Sequence, residues 1–147
     1  MLATRERFHD VVYKPGNHLN EEESAFYAAS ILKEIGVKTP LIIRVMSRIM
    51  ATKHDHVPID YNDRTMVDID LVGLGGTPED FDKDTAKNRE EYRVLVPNDR
   101  DFAIGLAQFF KKFMKGRPSI YLTKYFYDKH GAQAQENVRR LIAQAGI

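Results

Sequence analysis

Met66-Val67-Asp68-Ile69-Asp70-Leu71-Val72-Gly73-Leu74-Gly75 is the stretch on which the fold turns. Wound as an α-helix at about 100° per residue, it puts Val67, Asp70, Leu71 and Leu74 on one face and sends Asp68 well away from it. An aspartate in an apolar stripe is costly unless it is paired or bound to a cation. Asp70 is therefore a candidate ligand, and a salt bridge to a core arginine is the plainer alternative. The helix is expected over Tyr61 to Leu74, stopped by Gly75-Gly76.

Outward from this stretch the periodicity stays helical. Asn20 followed by Glu23 reads as a capping box that opens a helix to about Ile35, with Gly36 as its stop. Ala25, Ala28, Ala29, Leu32 and Ile35 form its expected buried stripe. A second helix starts near Pro40 and carries Ile42, Val45, Met46, Ile49 and Lys53 on one face, fading before Pro58. Downstream, Thr77-Pro78-Glu79-Asp80 supplies an N-cap, a first-turn proline and two acids suited to the helix dipole. That helix runs to about Tyr92, and Asn98 or Asp99 caps the next, Phe102 to Met114. Ser119 to Phe126 has strand-like composition but no partner strand, so a helical turn or loop is preferred. An amphipathic helix from about Ala132 to Ala145 closes the chain. Leu2 to Val12 reads as the end of a further helix, and Tyr13-Lys14-Pro15-Gly16-Asn17 as a loop. The fold class is all-α.

A chain of 147 residues fits one domain, 1–147, and 43% hydrophobic with 29% charged residues is ordinary for a soluble globular protein. A net charge of +1 argues against a nucleic-acid binder, although Arg44, Arg48 and Lys53 make a local basic patch on one helix. No cysteine is present, which removes disulfides, thiolate metal sites and cysteine nucleophiles together. No apolar run approaches membrane-spanning length and no signal-peptide pattern opens the chain, so a cytoplasmic location is expected.

The chemistry-bearing stretch is Arg7-Phe8-His9-Asp10-Val11-Val12-Tyr13-Lys14-Pro15. His9 and Asp10 set a neutral nitrogen ligand beside a hard oxygen ligand, a pair able to hold a divalent cation. A helix-end histidine with a capping aspartate is the plainer alternative. His54 and His56 lie between this pair and Asp70. Continued helical phase aligns His56 with Ile42, Val45 and Ile49 and turns His54 aside, but Pro58 disturbs the helix there, so both stay as candidates. Glu21, Glu22 and Glu23 complement a helix dipole, or one of them reaches a metal or orients a water. Lys53, Arg89 and Arg117 are candidates for phosphate, against the ordinary duty of solvating a surface.

Several spaced phrases together resemble a subgroup of the HD superfamily of metal-dependent phosphohydrolases. They are Phe8-His9-Asp10-Val11-Val12-Tyr13-Lys14-Pro15, Asn20-Glu21-Glu22-Glu23-Ser24-Ala25, Ala51-Thr52-Lys53-His54 and Asp68-Ile69-Asp70-Leu71 leading to Leu74-Gly75. Later come Arg89-Glu90-Glu91-Tyr92 before Val96-Pro97, Arg117 before Ile120-Tyr121-Leu122-Thr123, and Asn137-Val138-Arg139. The resemblance implies an HD-domain-like helical bundle with a divalent metal (Mn, Fe, Ni, Mg or Zn) at His9, Asp10 and Asp70, to which His54 or His56 would add. It implies hydrolysis of a small phosphorylated substrate or nucleotide, with Asp10 positioning a metal-activated water and Lys53 or Arg89 neutralising the phosphate.

One departure stands out: the family places a further metal-binding histidine on a helix well before the His-Asp pair, and eight residues precede His9 here. The chain therefore reads as N-terminally truncated relative to the family. Uncovered core surface is then expected to drive homo-oligomer formation. The alternative function is a degenerate HD-fold metal-binding or subunit-interaction module without turnover.

Overall fold

The computed structural model describes residues 10–147; His9 and the residues before it lie outside it, as does most of the helix end expected over Leu2 to Val12. The described residues are helical, with no strand among them. In order they are α1 (Asn20–Glu34), α2 (Thr39–Ala51), α3 (Tyr61–Asp70), a 3₁₀ turn (Val72–Gly75), α4 (Pro78–Glu91), α5 (Asp99–Met114) and α6 (Lys124–Ala145). They gather into two compact units where the sequence reading treats 1–147 as one domain. One unit reaches Met66, the other spans Val67–Ile147, and the boundary falls inside α3.

In the first unit α1 packs on α2. Ala25, Ala28 and Ile49 are buried, with Val45, Met46 and Met50 against them. The alanines allow the close helix approach expected of them, but the stripe is narrower than expected, since Ile35 is 70% exposed. The chain leaves α1 through Gly36 at φ +82°, where Gly36 N–H donates to Lys33 O and Val37 N–H to Leu32 O. That paired closure needs a left-handed residue, which glycine supplies without strain.

The expected capping box is absent. Leu19 occupies the cap position without a side-chain bond, and Asn20 turns away from the helix end. Its side chain accepts from Lys14 N–H at 3.0 Å and donates to Lys14 O at 2.9 Å. One turn on, the Ser24 hydroxyl accepts from Val12 N–H and donates to Val12 O. Asn20 and Ser24, both buried, thus hold the segment that follows Asp10 along the side of α1.

The second unit buries Phe81, Ala107, Phe110, Ile120, Tyr121 and Val138 in its core. Thr77 caps α4 by accepting from Asp80 N–H, and Asn98 caps α5 by accepting from Arg100 and Asp101 N–H, as the cap chemistry predicts. Helix α6 begins at Lys124, eight residues before the expected Ala132, because Gly131 is carried inside it rather than ending a loop. Ser119 to Thr123 is irregular, in line with the preference for a non-strand.

Candidate functional site

The second unit is organised around the turn that follows α3. Val67 and Asp68 are fully buried, whereas Asp70 is half-buried. This reverses the expected phase, in which Asp68 points away from the core. The reason is a contact distant in sequence, since Leu122 and Thr123 bring their donors to Asp68, while the α-helix itself stops at Asp70 and tightens into a 3₁₀ turn over Val72–Gly75. Leu71 and Leu74 still pack, partly buried, against the core of this unit, as the stripe assigns them.

Asp68 anchors the start of α6. Its carboxylate accepts from Leu122 N–H at 2.8 Å, from Thr123 N–H at 2.8 Å and from the Thr123 hydroxyl at 2.6 Å. Tyr121, 1% exposed, donates its hydroxyl to Leu71 O at 3.1 Å. Burial pushes its pKa up from 10.0 to about 12. Asn137 is also fully buried, and its amide donates to Leu74 O and Gly76 O, both at 2.9 Å. A Cβ on Gly75 would come within 2.8 Å of the Tyr121 hydroxyl and 2.7 Å of His130 Cβ, so only glycine fits there. These residues, which carry the later phrases of the HD-like resemblance, clamp the 71–76 turn. Most of their partners are backbone groups, and their role is architectural.

The turn delivers Asp70 to a cavity of about 210 Å³, where Asp84, Thr85 and Asn88 of α4 also contribute. Its apolar wall includes Leu74, Phe81 and Phe110. This donor set is oxygen-rich, the chemistry a hard divalent cation prefers. Among the described residues, however, no three His, Asp or Glu side chains stand close enough to hold a metal ion. Asp70 therefore lines the cavity as one oxygen donor beside Asp84, Thr85 and Asn88.

The other expected site residues stand as follows. Asp10 is exposed and belongs to the first unit. His54 is half-buried in the turn after α2, with the left-handed φ of +59°. His56 lies on the surface rather than inward, because α2 ends at Ala51 and helical phase does not extend to it. Its Nδ1 is 2.5 Å from Asp55 Oδ1, and this contact holds the Asp55 carboxyl below its usual range.

The expected phosphate binders have partners of their own. Lys53 is ion-paired and hydrogen-bonded to Glu22 of α1; the same bond lowers the Glu22 pKa and raises that of Lys53. Arg89 is only 11% exposed. It donates to Asp99 Oδ1 at 2.7 Å and to Pro97 O at 2.9 Å, and its guanidinium lies 5.0 Å from the Phe102 ring centre. Arg89 thus ties the end of α4 to the cap of α5. Arg117 sits 4.0 Å over Phe113, and burial lowers its pKa against the opposing pull of Asp68.

Sequence reasoning missed a second cavity, of about 370 Å³, between α4 and α5. Tyr92, Phe102 and Phe109 line it, and Gly105 forms part of its wall. Asn88 and Leu106 line both cavities, so the two are adjacent. Gly105 is in the interior of α5, and a Cβ there would meet nothing within 4 Å. Glycine in a helix interior costs about 1 kcal/mol relative to alanine. Neither positive φ nor a close neighbour requires it at this position.

No family model, curated protein or solved structure matches the chain.

Proposed function

We propose that this chain is a metal-dependent phosphohydrolase acting on a phosphate ester or nucleotide. The observation that carries the reading is the placement of Asp70: half-buried, at the end of α3, in a cavity shared with Asp84, Thr85 and Asn88. The HD-like phrases support it by assigning Asp70 a metal together with His9 and Asp10. A bound divalent cation would supply a water of lowered pKa and charge screening for phosphoryl oxygens.

The chain's own residues have separable parts in this reading. Asp70 presents a hard oxygen donor, and the Tyr121, Asn137 and Gly75 clamp fixes the turn that follows it. Asn20 and Ser24 hold the segment following His9-Asp10 on α1. Glu22 keeps Lys53 charged and positioned as the phosphate-neutralising candidate. Arg89 is a positioning residue for α4 and α5, since its hydrogen bonds go to Asp99 and Pro97.

The test is turnover of a generic phosphodiester and a panel of nucleotides by protein purified without chelator, beside metal analysis of the same preparation. Metal-dependent turnover that is lost in Asp70→Ala and retained in Lys33→Ala, on the exposed last turn of α1, is the expected result. Bound metal with no turnover supports the second reading, a metal-binding or subunit-interaction module of the same fold.

A specific observation favours that second reading: Phe26 and Ile35 on α1 are each 70% exposed and Ile43 on α2 is 60% exposed. Apolar side chains on so small a helical pair suit association with a second copy of the chain. Sedimentation at micromolar concentration checks it, with a dimer or larger species expected.

A further inference from the structure

We propose that the cleft between α4 and α5 is a binding site for a planar aromatic ring bearing an amino group. Three features converge on this ligand class. Tyr92, Phe102 and Phe109 supply ring surfaces on which a flat π-system stacks. The cavity, about 370 Å³, falls in the size range of small-molecule sites.

Its polar groups have capacity to spare. Asn88 and Asp101 both line the cleft, and among the described residues neither side chain makes a hydrogen bond or ion pair. A carboxylate accepts and does not donate, so Asp101 calls for an N–H on the ligand, while the Asn88 amide can meet a ring nitrogen.

Gly105 is the independent observation. A side chain there would meet no neighbouring atom, and alanine would strengthen the helix, so folding does not call for glycine at this position. What glycine provides at this exposed position is an unfilled stretch of the cleft wall, beside which a ring can lie.

The ring site stands without the hydrolase reading. A further step, that the ring belongs to a phosphate ester whose phosphate lies toward Asp70, rests on that reading and on the shared lining of Asn88 and Leu106.

The experiment is a metal-free fluorescence titration of the full chain with 2-aminopurine riboside, whose emission is quenched on stacking. The chain has no tryptophan to interfere. Saturable quenching is expected, with weaker binding of purine riboside, which lacks the amino group, when it competes. Gly105→Leu, placing a side chain in the cleft, should weaken binding about tenfold or more, a difference of roughly 1.4 kcal/mol. Asp101→Asn, on an exposed position, should weaken it several-fold and decides the matter if the leucine variant does not fold. Absence of saturable quenching in the wild type overturns the proposal, as does unchanged affinity in folded Gly105→Leu or in Asp101→Asn. Ring binding that persists while metal-dependent turnover is absent leaves the ring site standing and removes only the hydrolase reading.

Discussion

Asp68 holds Thr123 twice, taking its amide N–H at 2.8 Å and its hydroxyl at 2.6 Å on one carboxylate oxygen. Its other oxygen takes Leu122 N–H, so a single buried side chain fixes the point where α6 begins. Replacing Asp68 by alanine strands two backbone donors and a hydroxyl in the interior. The expected loss is about 3–5 kcal/mol of stability, measured by urea unfolding. Asp70→Ala, at a half-buried helix end, should cost less than about 1.5 kcal/mol. Equal losses would mean that the hydrogen bonds to Leu122 and Thr123 carry little of the stability.

Tyr121 makes stability depend on alkaline pH. Its folded-state pKa of about 12 lies above the ordinary 10.0, so the folded chain holds this proton more tightly than the unfolded chain. The contribution is fully present below pH 10 and is lost as pH rises from about 10 to about 12. Its size is on the order of 2–3 kcal/mol. Tyr121→Phe should lose about 1 kcal/mol at neutral pH with its bond to Leu71 O. The same variant should lack the wild type's extra decline above pH 10. In an ultraviolet titration of the wild type, one of the seven tyrosines should ionise last, and that component should be missing from the variant.

Gly105→Ala should stabilise the chain. The substituted Cβ meets nothing, and a helix interior gains about 0.5–1 kcal/mol from the exchange. For a chain of this length the melting temperature should rise by roughly 2–4 °C. A fall would show that the space beside Gly105 is not open.

The helices were legible because caps and periodicity act over short distances. Thr77 and Asn98 cap α4 and α5 as their chemistry dictates, and Pro40 sits in the first turn of α2. What failed depends on contacts distant in sequence. Asn20 has cap chemistry, yet its amide is used by Lys14, six residues back. Asp68 reads as an outward residue until Thr123, 55 residues later, is brought beside it. The inward turn expected of His56 assumed a helix that stops at Ala51. Asp70 reads as a member of an apolar stripe, yet it is only half-buried, and its cavity owes as much to Asp84 and Asn88 as to its own helix. The ring cleft was hidden because Tyr92 and Phe102 entered the sequence reading only as the limits of two helices, whose packing brings them together.

The most direct measurement is thermal unfolding with and without manganese for the wild type, Asp70→Ala and Lys33→Ala. A cation that binds only the folded state raises its melting temperature by mass action. The metal reading predicts a clear rise for the wild type and for Lys33→Ala, and none for Asp70→Ala, whose own melting temperature without metal stays close to the wild type. A manganese response that survives in Asp70→Ala, or is absent from the wild type, contradicts it.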